Sequence, residues 1–191
     1  MRSAWSVLGL SVLGSVTLSA CGGASGGADG EMISLSTCVP STATLASDQS
    51  MASMAGSYRV VLVGADTRTA RGEMTLSEQP ENLRVLQGAR TPLGGSIDLD
   101  LTAVGAQPVQ NLGSTDPAEP GVLVIESDGT DGREILLRLG SENNRRDVFQ
   151  FDGAHAVLSV QNIVGAAFVG RWRSGVRSVR TEGHFCAVQA S

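Results

Sequence analysis

Apolar and polar residues alternate with a period of two over several separate stretches, and this pattern constrains the fold of the chain more than any other feature. Tyr58, Val60 and Leu62 alternate with Arg59, Val61 and Val63, and Gly72, Met74 and Leu76 with Arg71, Glu73 and Thr75. Ile97, Leu99 and Leu101 alternate with Asp98, Asp100 and Thr102, and Ile135, Leu137 and Leu139 with Glu134, Leu136 and Arg138. Phe168, Gly170 and Trp172 alternate with Val169, Arg171 and Arg173. Successive side chains of an extended chain point to opposite faces, so each stretch reads as a strand with one buried face. Further candidate strands are 82–88, 121–127, 148–152, 155–161 and 179–188. Turn chemistry separates them at Asp128-Gly129-Thr130-Asp131-Gly132, Ser141-Glu142-Asn143-Asn144 and Asp152-Gly153. No amphipathic helix of three turns is legible after residue 50. The expected fold is all-β: a single antiparallel up-and-down β-barrel of about eight to ten strands, with a β-sandwich as the alternative. Hairpin spacing and the need to remove exposed edges favour the barrel.

The N-terminus is built differently. Met1-Arg2-Ser3 carries one positive charge, and an apolar stretch runs from Ala4 to Leu18, too short to cross a bilayer as a helix. A basic start, a short apolar core and small residues before a cut are the layout of a secretory signal. The stretch ends Leu18-Ser19-Ala20-Cys21, which resembles the lipobox of bacterial lipoproteins. The resemblance implies cleavage before Cys21, a diacylglycerol on its thiol and often an acyl chain on the new amine. It also implies a cell-envelope location on the membrane through that lipid. Gly22 follows where an Asp would resemble an inner-membrane retention signal, so a two-membrane organism is expected to sort the protein to the outer membrane, facing the periplasm or the surface. The expected division is a signal peptide over 1–20, a lipidated cysteine and Gly/Ser-rich tether over 21–50, and a barrel domain over 51–191. Within the tether, 22–30 reads as a flexible spacer, whereas 31–50, with Cys38 and Pro40, can lie along the domain.

With Cys21 taken by lipid, Cys38 and Cys186 remain as an even pair in an oxidising compartment, where a disulfide is the default expectation. Two unpaired buried thiols are the alternative. Neither cysteine has the C-x-x-C spacing of a redox site. The net charge of −5 argues against a nucleic-acid partner, which requires a basic surface. A hydrophobic content of 41% suffices for one core and one domain.

Candidate sites are sparse. The carboxylates of 128–132 suit calcium, but the run lacks the spacing of a calcium hand and reads as a hairpin turn. Asp98 and Asp100 share one face of an expected strand and read as solvated charges rather than an acid–base pair. His155 and His184 are the only histidines, and a metal pair of His184 with Cys186 would conflict with the disulfide. Arg171, Arg173, Arg177 and Arg180 cluster near the C-terminus and suit an acidic partner or lipid head groups, though a solvated outer strand face accounts for them as well. No nucleophile elbow, phosphate loop or zinc-protease motif is present, so neither catalysis nor a cofactor or metal is expected.

The Gly-x-Trp of Gly170-Arg171-Trp172 resembles, distantly, the pattern of lipocalin and avidin-type barrels, in which the Trp closes one end of the core. There the lipocalin pattern lies on the first strand; here it lies near the C-terminus, and no ligand residues carry over. Two functions remain open: a binding module for a small apolar ligand or an envelope partner, and a structural envelope lipoprotein with a filled barrel. The barrel interior separates them, and an interior of Val, Leu, Ile and Met with few aromatics can form either.

Overall fold

The computed structural model describes residues 34–86, 89–129, 132–141, 155–176 and 179–190. The expected signal segment 1–20, Cys21, the expected spacer 22–30, the expected strand 148–152, Arg177 and all or part of each of the three expected turns lie outside those residues.

The described strands are β1 (Gly56–Gly64), β2 (Thr69–Glu78), β3 (Val85–Leu86), β4 (Ala89–Asp98), β5 (Val122–Gly129), β6 (Gly132–Leu139), β7 (His155–Val164), β8 (Ala167–Val176) and β9 (Val179–Gln189). From β4 to β9 each strand pairs antiparallel with the next, and β9 pairs with β1 and β1 with β2. The ring closes where β2 pairs with β4, with Met74 opposite Ile97. The two-residue β3 stands apart as a ribbon on β4. The result is a closed, eight-stranded up-and-down barrel, in which the β6–β7 seam is paired, among the described residues, only over Leu136–Leu139 and Ala156–Ser159.

Two expected strands end differently. Of 82–88, only Val85–Leu86 is extended among the described residues, because Glu81–Leu83 forms a 3-10 turn after Pro80, whose ring presets a turn-compatible φ and which has no N–H for a ladder. The stretch through Leu101 stops being a strand at Asp98. The Asp100 carboxylate accepts a hydrogen bond from the Thr102 amide at 2.9 Å and starts a 3-10 turn over Leu101–Val104. Gly105, at φ +75°, ends that turn with its N–H on the Leu101 and Thr102 carbonyls. Leu99 and Leu101 stay buried despite the bend.

The alternation sets the faces. Tyr58, Leu62, Met74, Leu99, Leu137, Phe168 and Trp172, all expected inward, belong to one buried cluster. Phe168 stacks edge-on to Tyr58 (centroids 5.0 Å apart) and to Phe185 (6.0 Å). Gly170 makes room for these rings and for the preceding strand, β7. A Cβ there would lie 1.9 Å from the Ser159 carbonyl oxygen and 2.9 Å from the Phe185 ring.

Apolar turns close the two ends. The 3-10 turn Met51–Met54 enters β1 at its first residue, with Ser50 accepting from the Ala52 amide and both methionines buried in the core. At the opposite end of β1, Leu101 and Val104 join the same core, with the Val104 carbonyl beside Gly64. Trp172 lies toward this second end, paired across the ladder with Gly183, and its indole N–H donates to the Val63 carbonyl at 3.0 Å.

Candidate functional site

The interior leaves no opening among the described residues. Leu62, Val104, Val122, Val124, Ile135, Leu137, Leu139, Leu158 and Phe185 are each 0% exposed, and the apolar turns at both ends belong to the same cluster. A water-sized void beside these side chains would give them accessible surface. Among the described residues, the concave features open to another molecule lie on the outer wall.

Residues 34–50 cross that wall as a strap. The Sγ atoms of Cys38 and Cys186 lie 2.09 Å apart, at disulfide distance, and join the strap to β9. The His184 Nε2 sits 3.1 Å from the Cys38 carbonyl oxygen. Farther along, Gln49 Nε2 donates to Asn162 Oδ1 at 2.9 Å and to the Ile163 carbonyl at 2.7 Å. Arg133 donates to the Ser47 and Gln49 carbonyls and pairs with Glu126 at 2.5 Å. Leu45 packs against the core cluster. Val61, Cys186 and Val169 form one outer row across β1, β9 and β8, and all three are buried although they point away from the interior.

Beside the strap, a groove of about 500 Å³ runs over the outer faces of β6 to β9. The short side chains Val157 and Ser159 of β7 lie between longer neighbours. Leu136 and Glu134 flank them on β6, and Arg171 and Arg173 flank them on β8. His184, Glu182 and Arg180 continue the groove on β9, and Pro40 of the strap borders it. Arg171 stands opposite His184 in the ladder, and Arg173 opposite Glu182. Gln161 follows Val157 and Ser159 onto the outer face by the alternation of β7. The β7–β8 register then shifts between Val160 and Asn162, and this bulge returns Ile163 to the inner face opposite Phe168. Arg138, on the outer face of β6, is more deeply set than these arginines, and burial lowers its guanidinium to about 10, still protonated at neutral pH.

The sequence candidates distribute as follows. Arg171, Arg173 and Arg180 meet on one groove, and Arg177 lies outside the described residues. Asp98 is exposed opposite Glu73 in the ladder; Asp100 caps a turn, and its hydrogen bonds from Thr102 hold its carboxyl below the usual range. Asp128 and Gly132 belong to the β5–β6 hairpin, and Thr130 and Asp131 lie outside the described residues. His155 begins β7 and His184 faces the strap, and no group of three or more His, Cys, Asp or Glu suited to a metal occurs among the described residues. Sequence reasoning missed Gln161. Its signal is the alternation itself: Ala156, Leu158 and Val160 face inward, which places Gln161 outward with Val157 and Ser159.

No family model and no curated protein matches the chain. Similar solved structures include EF1p2_mFAP2b bound to DFHBI, at 10% identity, covering 73% of this chain and 95% of that one with a TM-score of 0.35. The redesigned β-barrel mFAP1 bound to DFHBI is similar at 14% identity, covering 73% and 96% with a TM-score of 0.32. A second redesigned barrel, mFAP0 bound to DFHBI, has 12% identity, covers 72% and 99%, and has a TM-score of 0.32. Overlap this slight carries no argument about a ligand, and the barrel rests on its own strand pairing.

Proposed function

We propose that the protein is an exported envelope lipoprotein, anchored through Cys21, whose barrel is a filled scaffold that works through its outer wall. The observation that carries the second half is the interior, where core side chains from every strand of the ring are sealed and apolar turns close both ends. A cup for an apolar ligand requires unfilled volume of some hundreds of Å³ that the ligand can reach. The first half is supported by Leu18-Ser19-Ala20-Cys21 and by a cysteine pair at disulfide distance, which suits an oxidising compartment.

Two measurements test the two halves separately. Mass spectrometry of the mature N-terminus should find an acylated Cys21 as the first residue; an unacylated protein with any other first residue removes the anchor. A chain of residues 22–191 should leave a fluorescent fatty acid unbound and its Trp172 emission unchanged. Saturable binding that shifts that emission and weakens on changes at Leu137 or Phe168 would show an open cup and overturn the filled scaffold.

A further inference from the structure

We propose that the outer-wall groove over β6–β9 binds a small polyhydroxylated oxyanion, a sugar acid or a sugar phosphate. The inference deepens the reading above and rests on the wall, not the interior, being the working face.

Three guanidiniums, those of Arg171, Arg173 and Arg180, line the groove, and none has an ion pair or hydrogen bond with a described residue. Their clustering stands out on a chain of net charge −5. Arginine presents a planar fork of donors that matches carboxylate and phosphate oxygens two at a time. The same groove holds acceptors. The carboxylates of Glu134 and Glu182 line it without a described partner, and Gln161 keeps its Oε1 out of water with no donor. A buried acceptor without a donor is costly and calls for one. An anion alone satisfies the arginines but repels the carboxylates. A ligand with an oxyanion at one end and several hydroxyls along its body satisfies both sets. The polar rim over short side chains and the volume of about 500 Å³ suit a monosaccharide-sized ligand.

A solvated strand face explains the arginines but not an Oε1 of Gln161 that is shielded from water and has no donor, and the experiment separates the two. Glucuronate and glucose 6-phosphate are titrated by calorimetry into the full chain in non-ionic detergent, with glucose and inorganic phosphate as controls. The expected result is binding of both sugar anions at least about tenfold tighter than either control, weakening as salt rises. The R171A/R173A variant should lose about tenfold or more, and Gln161→Leu severalfold, each with an unchanged melting temperature. No binding of either sugar anion at millimolar concentration would overturn the proposal, as would binding that ignores both variants. Inorganic phosphate binding as tightly as glucose 6-phosphate would overturn recognition of the sugar. Failure here, with a barrel that also refuses fatty acid, sinks the groove alone; fatty acid entering the barrel sinks the reading beneath it.

Discussion

Replacing Trp172 by alanine is expected to destabilise the barrel by about 3–5 kcal/mol, a large share of a typical domain's total. The side chain is 2% exposed and packs in the core toward the end closed by Leu101 and Val104, so truncation leaves a cavity that rigid strands on every side cannot fill by collapse. The Val63 carbonyl also loses its indole donor. Trp172→Phe separates the two losses: it keeps most of the volume, removes the N–H, and should cost about 1–3 kcal/mol. Trp5 precedes the barrel and Trp172 is the only other tryptophan, so unfolding of the variants must be followed by circular dichroism rather than fluorescence. The expected readout is a lower urea midpoint at constant slope. An alanine variant no less stable than Arg59→Ala, a change at an exposed outer position, would mean that Trp172 does not hold that end of the core.

The double variant C38S/C186S is expected to lose about 5 kcal/mol by the chain-entropy model, because the pair closes a loop of sequence separation 148 in the unfolded chain. The strap keeps its bonds from Gln49 and Arg133, so the folded barrel should retain its far-ultraviolet spectrum while its unfolding midpoint drops. Reducing agent should lower the midpoint of the unsubstituted protein by a similar amount and leave the variant unmoved. Equal midpoints with and without reductant, in protein whose peptide map shows both thiols free, would remove the crosslink and its contribution.

Much of the barrel is legible in the sequence because a strand's side chains alternate strictly. Inward and outward residues of β1, β2, β6 and β8 follow from the period-two alternation, and the seven residues expected inward are buried in one cluster. The reading weakens where a local side chain overrides the period. Pro80 and Asp100 start 3-10 turns inside stretches whose hydropathy continues the strand pattern, and a bulge at Gln161 shifts the register of β7 by one residue.

The sequence by itself determined the strand periodicity, the turn chemistry and the lipobox-like spelling of Leu18-Ser19-Ala20-Cys21, since these depend on residues adjacent in the chain. Only the tertiary structure decided that the ring closes between β2 and β4, that both ends are closed by apolar turns, and that 34–50 lies along the wall. It also decided that Arg171, Arg173 and Arg180 share one groove with Glu134 and Gln161. Those facts depend on which strands become neighbours and on how much volume their side chains fill together. Both are properties of residues far apart in sequence, and alternation within a single strand carries no record of either.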